Sequence, residues 1–252
     1  MTARSRLLLT AILVSTLAVP ANTSGGILAA ESFQRLSREF LQAIAEAGPV
    51  DILVNAHGIF PNQPILEMTV AEWDQVFAVN VRGSMLTCRA VARQWTKGDV
   101  KGAIINISSG ASRSARAGGS HYTGSKAAVN MMTEVLAIEL GPYGIRVNAV
   151  LPGLILDDVV TAENVERHPY VNMMLKGTPL GRTGHPDDVA EAVTFLASDR
   201  SPWITGAMLE VTAQNDAAVR LYRKFGFRSL KTLYKVMDPV QAVPVPIEAD
   251  WV

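Results

Sequence analysis

The feature that most limits what this chain can fold into is a repeated alternation. Short apolar runs, Val50–Asn55, Gly102–Ser108, Ile145–Val150 and Thr205–Val211, are separated by segments with helical spacing. Near-continuous apolar runs read as strands buried on both faces, which is the signature of parallel pairing. The segments between them read as helices with clear punctuation. Glu31–Ala47 carries Phe33, Leu36, Phe40, Leu41 and Ile44 on one stripe and stops at Gly48-Pro49. Thr69 and Glu72 form a capping box for a helix running to about Trp95. Tyr122–Leu140 ends at Gly141-Pro142, and His185-Pro186-Asp187-Asp188 opens a helix to about Ser198. The pattern predicts an α/β fold: a Rossmann-like, doubly wound parallel sheet covered by helices on both faces, with right-handed crossovers.

Composition narrows the function classes. Lys plus Arg and Asp plus Glu both number 23, so no basic surplus points to nucleic acid. Cys88 is the single cysteine, which excludes an internal disulfide and a cysteine-based metal site; its apolar helical context reads as core. His168 and His185 lack metal-ligand spacing, so no metal is expected. At the N-terminus, Arg4 and Arg6 precede the apolar run Leu7–Pro20. This is the profile of a secretory signal peptide, and equally that of a compressed first strand over Leu7–Val14 pairing beside Val50–Asn55. The run is too short for a stable membrane span. A cytoplasmic location is expected, with export as the alternative.

In parallel α/β sheets, binding sites lie beyond the carboxyl ends of the strands. Those ends carry Asn55-Ala56-His57-Gly58, Ser108-Ser109-Gly110 and Pro152-Gly153. The long helix opens with Tyr122-Thr123-Gly124-Ser125-Lys126. Four residues apart, Tyr122 and Lys126 share one helix face. A nearby ammonium favours a phenolate, which suits a tyrosine to general acid–base work on a hydroxyl or carbonyl oxygen. Ser109 is a candidate donor to the same oxygen. A Tyr-x-x-x-Lys pair alone also fits an ordinary solvated helix face.

Five ordered segments settle which reading to follow. "DILVNAHGI", "VFAVNVRG", "IINISSGASRSARAGGSHYTGSKAAV", "GIRVNAVLPG" and "GHPDDVAEAVTFLASDRSPWITGAMLEV" resemble the short-chain dehydrogenase/reductase family. The resemblance covers about residues 31–211. It implies reversible hydride transfer between NAD or NADP and a small alcohol or carbonyl substrate. It also implies roles: Tyr122 as acid/base, Lys126 favouring its phenolate and binding the nicotinamide ribose, Ser109 positioning the substrate oxygen, and Asn80 holding a relay water. Asn55, Ala56 and Gly58 would line the adenosine side, and Pro152, Gly153 and Ile155 the nicotinamide. By analogy the protein would form homodimers or homotetramers through its two long helices.

The chain also departs from the family. Only 54 residues precede Asn55, where the family places a strand, a Thr-Gly-x-x-x-Gly-x-Gly loop and further strand–helix units. Residues 1–30 therefore read as a signal-like leader or a compressed first strand, with Thr23–Ile27 as a shortened phosphate loop. No segment selects NAD over NADP. His57 replaces a small residue and either crowds the cofactor or points away. Asp157 brings a carboxylate near the expected cofactor phosphates. His121 reads as a surface histidine. Val171, Met173, Met174 and Leu175 line an apolar substrate pocket or pack on the core. Residues 212–252 read as a helix–strand extension, and Leu209–Val236 resembles a fragment of the GCN5-related N-acetyltransferases without their acetyl-CoA loop. The alternative function is a catalytically inactive scaffold that binds no dinucleotide.

Overall fold

The computed structural model describes residues 7–9, 42, 50–157, 159, 161, 171, 172, 175, 178 and 180–211. Among the described residues there are five strands: β1 (Leu7–Leu9), β2 (Ile52–Asn55), β3 (Ala103–Ile107), β4 (Arg146–Pro152) and β5 (Met208–Val211). They form one sheet in the order β1-β2-β3-β4-β5, every pair parallel. The helices are α1 (Val70–Phe77), α2 (Ser84–Gly98), α3 (Ser120–Leu140) and α4 (Pro186–Ala197). Within the N-terminal apolar run, Leu7–Leu9 pair with Ile52–Val54, and the rest of the run lies outside the described residues. Of the expected 31–47 helix, Gln42 is helical and the rest lies outside the described residues. So do Thr23–Ile27, His168, Met173, Met174 and everything after Val211. The chain divides into two units, Met1–Asn215 and Asp216–Val252.

Alternation of side chains along each strand gives the sheet two apolar faces. Leu53, Ile104 and Val147 pack against Cys88, Val91 and Trp95 of α2 and Ala137 and Leu140 of α3. Val54, Ile105 and Val150 pack against Leu196 of α4, with Val189, Val193 and Phe195 partly buried beside it. The fold is thus a Rossmann-like parallel sheet with helices on both faces, as expected. The expectation of uniformly right-handed crossovers does not hold. Strand order advances in one direction throughout, yet α2 and α3 cover one face and α4 the other. The β4-to-β5 crossover therefore has the opposite hand from the two before it. Covering Val54, Ile105 and Val150 outweighs the usual preference.

The helix expected from Thr69 to Trp95 is interrupted. Thr69 and Glu72 form the capping box, and α1 then opens into a π-helical turn over Ala78–Gly83 before α2. Such turns widen a helix locally and recur at functional sites. Asn80 sits at this turn, fully buried.

Candidate active site

The carboxyl ends of β2, β3 and β4, the π turn and the first turns of α3 converge. A buried polar ladder fixes their relative positions. The Thr87 hydroxyl donates to Asn55 Oδ1 at 2.8 Å, Asn55 Nδ2 donates to Asn106 Oδ1 at 2.8 Å, and Asn106 Nδ2 donates to Thr133 Oγ1 at 2.9 Å. The ladder runs from α2 through β2 and β3 to α3. Unsatisfied buried amides are costly, so this chain of bonds favours one register. Asn55, expected at the cofactor, commits its side chain here instead; Cys88 Sγ also accepts from it at 3.2 Å. Burial pushes the Cys88 thiol up to about 12, so it stays a neutral core group.

Asn80 joins the loop after β2 to α3. Its Nδ2 donates to Ile59 O at 3.0 Å and to Ser125 Oγ at 2.9 Å, and its Oδ1 accepts from Ile59 N at 2.9 Å. The Ser125 hydroxyl in turn donates to Tyr122 O at 2.7 Å. Ser125 was not singled out in the sequence, although it lies inside the Tyr-x-x-x-Lys motif.

Lys126 is 5% exposed and its Nζ donates to Ile107 O, the end of β3, at 2.9 Å. Burial lowers its pKa to about 8. An ammonium has three donors, and one is spent within the described residues. Gly58 lies against it: a Cβ there would stand 3.2 Å from Lys126 Nζ and 3.3 Å from Asn80 Oδ1. The glycine thus lets the loop after β2 approach the ammonium closely, where any side chain would crowd Lys126 and Asn80. The two unspent donors fit a ligand with hydroxyl acceptors, as a nicotinamide ribose has, and Lys126 is the residue that would hold it.

Ser109 is partly exposed at the end of β3. Its Oγ accepts from Ala111 N at 3.1 Å, capping a short 3-10 turn, so the hydroxyl proton stays available. The Tyr122 ring is partly exposed, with Phe60 edge-on at 6.3 Å between centroids and the Arg116 guanidinium over it at 5.3 Å. Its hydroxyl has no hydrogen-bond partner among the described residues. Beyond β4, Gly110 packs toward the Pro152 carbonyl, Gly153 N donates to Val211 O at 2.9 Å, and Ile155 bridges to Gly184. Pro152, Gly153 and Ile155 thus line the same rim. Ala56 is exposed there and Asp157 is exposed beyond it.

Two histidines differ from the simplest expectation. His57 turns inward: it is buried, and its Nε2 lies 3.3 Å from Ser84 Oγ. Gly83 makes the room, since a Cβ there would stand 2.8 Å from that nitrogen. Burial, reinforced by the Lys126 charge, holds His57 down to about 4, so it is neutral at physiological pH. His121 is not on the surface as expected but fully buried. Its Nδ1 accepts from Tyr122 N at 3.0 Å, which puts the proton on Nε2. Burial is also the main cause that lowers its pKa. Val171 and Leu175 are buried with Leu154 and Leu156, in line with packing rather than an open pocket.

The family model described as enoyl-(acyl carrier protein) reductase matches residues 28–213. The (3R)-3-hydroxyacyl-CoA dehydrogenase of Canis lupus familiaris is 40% identical over 166 residues, 65% of this chain and 62% of that protein. The L-xylulose reductase of Homo sapiens is 40% identical over 170 residues, 68% of this chain and 69% of that protein. The chain thus spans about two thirds of the length of these curated relatives, less in the first case. Among solved structures, a 4-hydroxyisoleucine dehydrogenase complexed with NADH has a TM-score of 0.63 at 29% identity, covering 71% of this chain and 74% of that one. A gluconate 5-dehydrogenase from Burkholderia cenocepacia in complex with NADP and tartrate has a TM-score of 0.64 at 30% identity, covering 71% and 70%. With the family model matched over most of the chain and the Asn80, Ser109, Tyr122 and Lys126 motifs in place, the chain belongs to the short-chain dehydrogenase/reductase family.

Proposed function

We propose that the chain catalyses reversible oxidoreduction between a secondary alcohol and a ketone, with NAD or NADP as cofactor and Tyr122 as acid/base. The observation that carries this reading is the buried Lys126 ammonium, with one donor spent, one helical turn from a tyrosine whose hydroxyl is unengaged among the described residues. The cofactor supplies or accepts the hydride when bound. The chain's own residues handle the proton and the geometry. Tyr122 donates a proton to the oxygen of a ketone, or takes one from an alcohol. Ser109 donates its free hydroxyl proton to the same oxygen and polarises it. Lys126 favours the phenolate by its charge and offers its remaining donors to the ribose. Asn80 fixes the loop after β2 against Ser125 and so sets the distance between that loop and α3. A water held beside it would link Lys126 to solvent. Ala56 and Gly58 line the adenosine side, with Asn55 acting through its ladder rather than by contact. Pro152, Gly153 and Ile155 border the nicotinamide.

The 31–211 segment is the catalytic unit in this reading, and the 212–252 extension has no assigned part. Met131, Val135 and Ile138, exposed along α3, form an apolar stripe that suits a homodimer or homotetramer. Among the described residues no helix is long and apolar enough to cross a membrane, and we place the protein in the cytoplasm, where nicotinamide cofactors are abundant. The test is Tyr122→Phe. It should remove turnover of alcohols and ketones while leaving the melting temperature unchanged, because the lost hydroxyl bonds nothing among the described residues. Turnover near the wild-type rate would overturn the assignment.

A further inference from the structure

Arg116 is not among the arginines that the fold ties down. Arg113 is paired with Glu210 and Arg182 with Asp188, each at 2.7 Å, and the Arg146 guanidinium is spent on backbone carbonyls. Arg116 has no carboxylate or carbonyl partner among the described residues. Its guanidinium lies instead over the Tyr122 ring, 5.3 Å from the centroid.

This placement is built in. At Gly119 a Cβ would stand 2.8 Å from Arg116 Cγ and 3.0 Å from its Nε, so the missing side chain lets Arg116 fold back toward α3. The segment is also tied to the loop after β2. Gln63 N donates to Gly118 O at 2.8 Å, and Gly118 holds a φ of +72° with Asn62 packed against the position its Cβ would take. That loop carries Phe60, which is 74% exposed and meets the Tyr122 ring edge-on. The acid/base residue is therefore flanked by an unpaired cation and by an open apolar ring.

We propose that Arg116 binds a carboxylate on the substrate, so that the chain acts on short oxo acids and hydroxy acids rather than neutral ketones. This rests on the proposed role of Tyr122. A guanidinium engages a carboxylate through two parallel hydrogen bonds, which gives orientation as well as attraction. One arm of the substrate carbonyl carries the carboxylate to Arg116, and the other carries hydrocarbon to Phe60. The carbonyl then meets the Tyr122 hydroxyl between them.

The test uses the full chain, with acetoacetate and its neutral ethyl ester as matched probes. Binding of each is measured by calorimetry, and turnover of each with NADH and with NADPH. Wild type should bind the anion at least ~10-fold more tightly than the ester. Arg116→Gln should lose that preference through weaker binding of the anion alone, and Arg116→Lys should keep part of it. Equal loss for anion and ester would mean that Arg116 only supports the Tyr122 ring, and would overturn the proposal. Failure of wild type to bind acetoacetate, or an unchanged preference in Arg116→Gln, would overturn it too. Arg116-dependent binding of the anion without turnover under either cofactor would uphold the carboxylate site and reject the oxidoreductase reading.

Discussion

Replacing Lys126 by methionine separates the stability cost of the buried ammonium from its use. Burial lowers the lysine from 10.5 to about 8, a difference worth about 3 kcal/mol at ~1.4 kcal/mol per pH unit. The sign follows from proton binding. Below pH 8 the side chain is charged in both states, and folding bears the whole cost of desolvating it. Between 8 and 10.5 the folded side chain has lost its proton while the unfolded one keeps it, so stability rises with pH. Lys126→Met retains most of the side-chain volume and cannot titrate. Urea unfolding of both proteins over a pH series, each carrying Tyr122→Phe, gives the difference in their stabilities, in which the titrations of groups not coupled to Lys126 cancel. The protein that keeps Lys126 should gain about 3 kcal/mol on Lys126→Met between about pH 7.5 and about pH 10.5. A difference that stays constant across this range would refute the claim that the charge is carried at the cost of burial.

Two further substitutions probe the frame around the site. Arg146 donates to Leu196 O at 2.6 Å and to Ala197 O and Ser198 O at 3.2 Å, which caps the end of α4. Leu196 O and Ser198 O keep the Ser201 hydroxyl at 3.0 and 3.2 Å, so Arg146→Ala strips only Ala197 O of its capping partner; it should cost roughly 1–3 kcal/mol in chemical denaturation, and a cost under about 0.5 kcal/mol would mean that water replaces the guanidinium freely. A Cβ at Gly102 would stand 2.5 Å from the ring of Trp95, whose Nε1 donates to Val50 O at 2.7 Å. Gly102→Ala should therefore lower stability by about 1–3 kcal/mol, and an unchanged melting temperature would show that the indole has room to shift.

The strands and their functional ends were legible because buried parallel strands are written as continuous apolar runs. Asn55, Ser109 and Pro152 therefore fell at strand ends in the sequence as they do in the fold. The relation of Tyr122 to Lys126 was equally plain, since four residues on a helix fix a shared face. Other features depend on contacts that no local pattern encodes. The π turn at Asn80 keeps the apolar spacing of its flanks, so the helix read as unbroken. His121 read as a surface residue because nothing local shows that the first turn of α3 is covered. For His57 the sequence left two orientations open, and the space at Gly83 decides for the inward one. Arg116 and Phe60 reach Tyr122 from loops after two different strands, and only the folded sheet brings them together. The hand of the last crossover likewise depends on which face α4 must cover.

The most direct test of the account is binding of NADH and of NADPH to the purified full chain, followed by nicotinamide fluorescence and by calorimetry. Saturable binding of at least one at micromolar concentration is predicted, weakened by Gly58→Val, which would crowd the Lys126 ammonium and Asn80. No binding of either at millimolar concentration would contradict the account and leave the Tyr122 and Lys126 pair as a scaffold without chemistry.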